Sequence, residues 1–166
     1  MQEKKTNSFF DTLKTIVYAV LIALIVRTVA FEPFNIPSGS MNPTLLVGDY
    51  LFVTKFSYGY SKHSLPFSLP ILPDRVLFEE PERGDVAVFK LPSDNKTDYI
   101  KRVIGLPGDK IQMKNGRLFI NNKMVKREKI GDYIQTDDGG NLRRTVRYIE
   151  TLPNGKTHEI LEEWGD

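Results

Sequence analysis

Cysteine is absent from this 166-residue chain, and histidine occurs only twice. The first absence excludes a disulfide scaffold, a zinc finger, an iron–sulfur site and a thiol nucleophile. It leaves the compartment open, because a disulfide-free protein can live on either side of a membrane. His63 and His158 have no partner at metal-ligand spacing, so neither a metal site nor a cofactor is expected. The zinc-protease motif HExxH, the nucleophile elbow GxSxG and a phosphate-cradling glycine loop are missing as well. His63 lies in the polar stretch 61–64 and His158 in an expected edge strand, which makes both surface residues and leaves a Ser–His–Asp triad unsupported. A strong net charge is also lacking. Lys and Arg number 23 against 21 Asp and Glu, and residues 32–166 hold 19 of each sign, which argues against a nucleic-acid partner. The length suits one domain, or one domain with an appendage.

One long apolar run is present. Residues 15–26 carry no charge, and 16–26 are apolar throughout. Lys14 and Arg27 bound the run, and their apolar stems can carry the charges to a headgroup layer. Residues 12–31 then form a segment of about 30 Å as a helix, enough to cross a bilayer. Pro33 stops that helix. Lys4, Lys5 and Lys14 precede the run and only Arg27 follows it, which places the N-terminus in the cytoplasm. A basic start, a short apolar run and Thr28-Val29-Ala30 equally suit a cleavable signal peptide. Hydropathy alone leaves both readings open. In either, the chain from Phe31 onward faces the outside.

Beyond Phe31 the pattern changes to short alternating runs, the signature of strands. Strands are expected at 50–56, 85–91, 98–104, 110–113, 117–120, 145–151 and 157–161. Asn115-Gly116 and Asn154-Gly155 each predict a tight type I′ hairpin. No helical periodicity of ten residues or more follows position 31, so the chain reads as an N-terminal helix followed by a mostly β domain. The proline-rich stretch 65–74 is an extended apolar loop, set either near the membrane or against the sheet.

Three stretches bear on chemistry. Ser93-Asp94-Asn95-Lys96 satisfies SxxK and SDN together, but in one polar loop, where chance explains it. The segment 34–45 sets Ser38 and Ser40 around Gly39 between two prolines, directly after the apolar run. A hydroxyl held rigidly there attacks a carbonyl if a base removes its proton; without one, the serines bond to their own backbone in a turn. Lys101, between Ile100 and Val103 in an expected strand, is the candidate base, since desolvation favours the neutral amine. Sixty residues separate the two, and composition does not join them.

Ser38-Gly39-Ser40-Met41-x-Pro43-Thr44-Leu45, Gly48-Asp49, Arg83-Gly84-Asp85-Val86, Asp98-Tyr99-Ile100-Lys101-Arg102 and Gly105-Leu106-Pro107-Gly108-Asp109 resemble, in order and spacing, the conserved boxes of bacterial type I signal peptidases. The resemblance implies a signal-peptidase-like β-rich catalytic domain and a membrane-anchored serine endopeptidase that cuts exported preproteins after Ala-x-Ala. It makes Ser40 the nucleophile, Lys101 the general base, and the Ser38 hydroxyl with the Ser40 N–H the oxyanion hole. Phe34, Ile36, Met41, Leu45, Leu51, Val88, Tyr99 and Ile100 match pocket-lining positions. The signal peptide would add as a strand along Asp98–Lys101 and Phe34–Pro37. The implied partners are preprotein signal peptides and the lipid bilayer. The implied organisation is a cytoplasmic 1–11, an anchor at 12–31 in the bacterial inner membrane, and an outward-facing catalytic domain at 32–166.

The family's later box, Gly-Asp-Asn-Arg followed by a Ser-x-Asp-Ser-Arg run, has no counterpart here. That box supplies a serine to the lysine, a carboxylate to a basic residue and strands to the sheet. Its absence predicts a piece of a longer enzyme, an Arg102 without its ion-pair partner and an unpaired edge at 145–161. The alternative is an anchored β-domain that binds exported chains without cutting them. A self-cleaving repressor would need a helical DNA-binding domain, which residues 1–31 do not provide.

Overall fold

The structure, a computed structural model, describes residues 8–65, 72–136 and 140–162. The chain divides into two compact units, Met1–Phe34 with Leu51–Glu80, and Asn35–Tyr50 with Pro81–Asp166.

The first unit holds α1 (Ser8–Val29) and most of β1 (Phe31–Asn35) and β2 (Tyr50–Thr54), which pair as a two-stranded sheet. No Gly or Pro interrupts α1, and Asp11 in its first turn and Arg27 in its last complement the helix dipole. Its 21-residue stretch Phe9–Val29 is long and apolar enough to cross a membrane, and no part of it is buried. The helix starts four residues before the expected boundary, because nothing in 8–11 breaks it. It ends two residues earlier, at Val29, because Phe31–Asn35, with Pro33 inside it, is drawn into the sheet with β2. Much of 65–74 lies outside the described residues, which lack 66–71.

Among the described residues, the second unit holds three small antiparallel sheets. β3 (Val86–Lys90) pairs with β4 (Asp98–Arg102). β5 (Ile111–Lys114), β6 (Arg117–Ile120) and β7 (Lys123–Met124) form a meander. β8 (Lys126–Thr136), β9 (Leu142–Thr151) and β10 (Thr157–Glu162) lie in the order β10-β9-β8. The core joins them: Leu118, Ile120, Val125 and Leu152 are buried, with Ile104 packed against them.

The expected strands all form, with ends shifted by one to three residues, and 117–120 is reproduced as β6. Strand β8 was not expected. Its sequence, KREKIGDYIQT, is rich in charge and holds a glycine, which reads as loop. It becomes a strand because it pairs along nearly its whole length with β9, with a bulge between Lys129 and Gly131. Asn115 and Gly116 both have positive φ, at 47° and 70°, as a type I′ turn requires. Asn154-Gly155 does not form that turn. Only Gly155 has positive φ, and Leu152 O accepts from Gly155 N while Leu152 N donates to Lys156 O. Pro153 favours a type I turn, and Gly155 takes the left-handed position after it.

His158 also departs from expectation. Its side chain is 7% exposed and its Nε2 stands 3.4 Å from Oε2 of Glu150, its cross-strand neighbour, itself 6% exposed. Burial follows from that row of the sheet: Arg127 on β8, with 2% of its side chain exposed, lies across from Glu150 on the other side. His63 is half-buried, in a single 3-10 turn at Lys62–Ser64.

Candidate active site

The stretch 36–49 turns three times within the second unit. Ile36 N donates to Asp49 O and Gly48 N to Ile36 O, which fastens the ends together. Between them Gly39–Met41 form one 3-10 turn, closed by Asn42 N donating to Gly39 O. Ile36 and Met41 are 2% and 8% exposed, so apolar burial seats the turn while Ser38 and Ser40 remain exposed above it. Ser38 has extended backbone (φ −142°, ψ 150°), and its hydroxyl makes no cap on the turn that follows.

Lys101 lies on β4, opposite Ala87 of β3. Its Nζ donates a hydrogen bond to Ser40 Oγ, across 61 positions of sequence. The same nitrogen also stands 5.7 Å from the centre of the Tyr99 ring. Ser38 Oγ is 3.4 Å from Ser40 Oγ. The next residue on β4 braces the same segment: Arg102 donates to Thr44 Oγ1 at 3.2 Å and to Gly84 O at 2.8 Å. Burial lowers the pKa of its guanidinium. No carboxylate pairs with Arg102 among the described residues.

The other expected site residues fall into three groups. Val88, Asp98, Tyr99 and Ile100 lie with Lys101 on the β3–β4 ribbon, where Val88 faces Ile100 and Phe89 faces Tyr99. Asp98 is held by Lys90, whose Nζ is 2.7 Å from its Oδ1. Ile36, Pro37, Met41 and Leu45 lie on the serine-bearing segment; Pro37 is exposed and Leu45 half-buried. Phe34 and Leu51, both half-buried, belong to the first unit. Among the described residues, only one edge of β4 is taken by a strand, that of β3. Ser93 to Lys96 form the loop of the β3–β4 hairpin instead of a site. Asp94 accepts from the backbone N–H of Lys96 and Thr97, which holds its carboxyl below the usual range.

Sequence reasoning did not single out Thr44, Asn42 or Gln135. Asn42 Nδ2 donates to Gln135 Oε1 at 3.4 Å. Thr44 is contained in the matched box, which was its available signal. Gln135 had none, because it sits on the strand whose composition reads as loop.

The glycine-aspartate pairs of the matched boxes have a shared structural role. At 46–49, 82–85 and 106–109, the aspartate N–H donates to the carbonyl three residues back, and its carboxylate accepts the N–H of that same residue. The preceding glycine has φ of 93°, 98° and 88° respectively, which side-chain-bearing residues rarely adopt. Asp109 also takes Arg83 Nη2 at 2.7 Å and Asn121 Nδ2 at 2.8 Å.

A family described as "Signal peptidase, peptidase S26" matches residues 9–162. The chain is 45% identical over 161 residues to Signal peptidase I of Rickettsia canadensis (strain McKiel), covering 94% of this chain and 59% of that protein. It is 47% identical over 143 residues to Signal peptidase I of Rickettsia typhi (strain ATCC VR-144 / Wilmington), covering 85% and 53%. With Signal peptidase I of Rickettsia conorii (strain ATCC VR-613 / Malish 7) it shares 46% over 143 residues, covering 85% and 52%. The chain thus spans about half the length of the curated relatives it matches. The match covers the apolar helix, both serines, the β4 lysine and the β-rich unit, and the chain belongs to the signal peptidase (peptidase S26) family.

Proposed function

We propose that this chain carries the reactive centre of a membrane-anchored serine endopeptidase that removes signal peptides from exported preproteins. The observation that carries the reading is the hydrogen bond between Lys101 Nζ and Ser40 Oγ. With its amine neutral, Lys101 takes the Ser40 hydroxyl proton as Oγ attacks the scissile carbonyl carbon. The resulting oxyanion is held by the Ser38 hydroxyl and the Ser40 N–H. Collapse of that intermediate breaks the peptide bond, and Lys101 returns its proton to the leaving amine of the mature chain. The signal peptide is left as an ester on Ser40. Lys101 then takes a proton from water, hydroxide adds to the ester carbonyl, and Ser40 leaves with that proton restored. A dyad of this kind works without histidine and without cysteine.

The substrate would enter as an extended strand, hydrogen-bonding to the free edge of β4 on one side and to 34–37 on the other. Leu45, Val88, Tyr99 and Ile100 would line the small pockets that prefer Ala-x-Ala, with Ile36 and Met41 beneath them. Residues 12–31 act as the anchor in the bacterial inner membrane, with 1–11 cytoplasmic and the catalytic domain at 32–166 outside. Retention of the helix is supported where a leader would be cut: Tyr60 Oη donates to Val29 O at 2.8 Å and Lys55 N to Ala30 O at 3.0 Å. Protein isolated from membranes should therefore keep its helix on N-terminal sequencing, and a mature terminus at Phe31 would refute retention.

The catalytic reading is tested by incubating the chain with a preprotein bearing an Ala-x-Ala site. Cleavage that disappears in both Ser40→Ala and Lys101→Ala supports the dyad; cleavage that survives either change sinks it. A second reading, an anchored domain that binds signal peptides without cutting them, is favoured by the half-buried Arg102 that has no carboxylate among the described residues. Binding with no cleavage at any pH would establish it.

A further inference from the structure

Gly39 separates the two site serines, and a Cβ added to it would meet the Asn42 side chain first. Asn42 Nδ2 would lie 2.9 Å from that Cβ, and the next two nearest atoms are also of the Asn42 amide. The φ of Gly39 is not in the left-handed region, so backbone conformation does not demand glycine there. The Asn42 amide is therefore folded over the Ser38–Ser40 turn, occupying the space that a side chain at 39 would take. From there its Nδ2 reaches Gln135 Oε1 on β8, 93 positions away, while its Oδ1 is buried and without a partner. A buried amide with one group unsatisfied is costly to hold in place, and packing alone would be served better by an apolar side chain.

We infer that Asn42 and Gln135 are positioning residues for Ser40: the β8 strand, through Gln135, clamps the Asn42 amide onto Gly39 and so fixes the turn that presents the hydroxyl to Lys101. The inference rests on the proposed peptidase activity for its kinetic consequence, though not for its geometry. Neither residue touches the reacting atoms. Their contribution is to orientation, so their loss lowers turnover while leaving substrate affinity in place.

The experiment measures kcat and KM on an Ala-x-Ala peptide with the full chain. Asn42→Ala and Gln135→Met should each lower kcat about tenfold with KM within about twofold, and the double variant should be no slower than the worse single. Gln135→Glu, which keeps an acceptor oxygen, should retain turnover where Gln135→Met does not. Gly39→Ala should slow the wild-type chain yet cost nothing further in an Asn42→Ala background, because the amide nitrogen that a Cβ there would crowd at 2.9 Å is gone. Wild-type kcat in Asn42→Ala or Gln135→Met, or losses that multiply in the double variant, would overturn the clamp while leaving the dyad standing. A wild-type chain that does not cleave instead overturns the peptidase reading. The clamp is then decided by the NMR signal of the Ser40 backbone amide: a shift in Gln135→Met supports it, and an unmoved signal refutes it.

Discussion

Two single 3-10 turns, each flanked by serines, hold those serines in opposite ways. At Lys62–Ser64 both hydroxyls are committed locally: Ser61 Oγ accepts from His63 N, and Ser64 Oγ accepts from Ser61 N, closing a capping box. At Gly39–Met41 the Ser38 hydroxyl caps nothing, and Ser40 Oγ is hydrogen-bonded to an amine from a distant strand. Each stretch carries two serines within four residues; the difference in their use lies in what else satisfies the turn. Apolar burial of Ile36 and Met41 and the tie between Ile36 and 48–49 secure the second turn without its serines. A hydroxyl that the fold does not need is one that chemistry can use.

The sharpest way to break this contrast is to remove each serine and watch activity. Lys101→Ala should cost about 10²–10⁴-fold in turnover, the usual contribution of a positioned general base, and Ser40→Ala should reduce cleavage to background. Ser38→Ala should cost about 10²–10³-fold in kcat with the site otherwise intact, the size of a lost oxyanion donor. Equal turnover in Ser38→Ala and wild type would place Ser38 with the structural serines after all.

Much of this arrangement was legible in the sequence, for physical reasons that also mark where it stopped being so. The apolar helix and the Asn115-Gly116 hairpin are local: an uninterrupted run and two residues tolerant of positive φ decide them. Strand β8 is not local, since its charged residues become a strand only by pairing with β9. His158 was misplaced for the same reason, because its burial depends on Glu150 and on the row beyond it. Ser40 and Lys101 were singled out by resemblance to a family; spacing alone had no means of bringing together residues 61 apart. The contact between Asn42 and Gln135 was invisible from either end.

The committed pattern of Ser61 recurs with charge at Asp49, Asp85 and Asp109, and at Asp109 it becomes sensitive to pH. The Leu106 N–H, the Asn121 amide and the Arg83 guanidinium hold its carboxyl down, to about 2. A carboxyl depressed on folding contributes stability that is complete above its unfolded value of about 3.9 and is lost as pH falls through the folded one. Urea midpoints of wild type and Asp109→Asn should therefore differ most near pH 5 and converge as the pH approaches 2. The difference between the two isolates Asp109 from Asp94 and Asp132, which are also depressed. A gap that stays constant across this range would mean that the carboxylate charge is not what closes the turn.

The smallest effect expected is at the other 3-10 turn, and it completes the comparison from the structural side. Ser61→Ala removes the acceptor for His63 N and should cost about 1 kcal/mol of stability, as loss of a helix cap commonly does. The readout is the urea midpoint, with cleavage of the Ala-x-Ala substrate unchanged at a concentration where both chains are folded. Ser38→Ala should show the inverse, an unchanged midpoint with slowed turnover, because no backbone group in its turn depends on that hydroxyl. The pair of variants separates the two uses of one side chain by which measurement moves. If Ser38→Ala shifts the midpoint as much as Ser61→Ala does, its hydroxyl supports the turn, and freedom from structural duty is not what distinguishes the site.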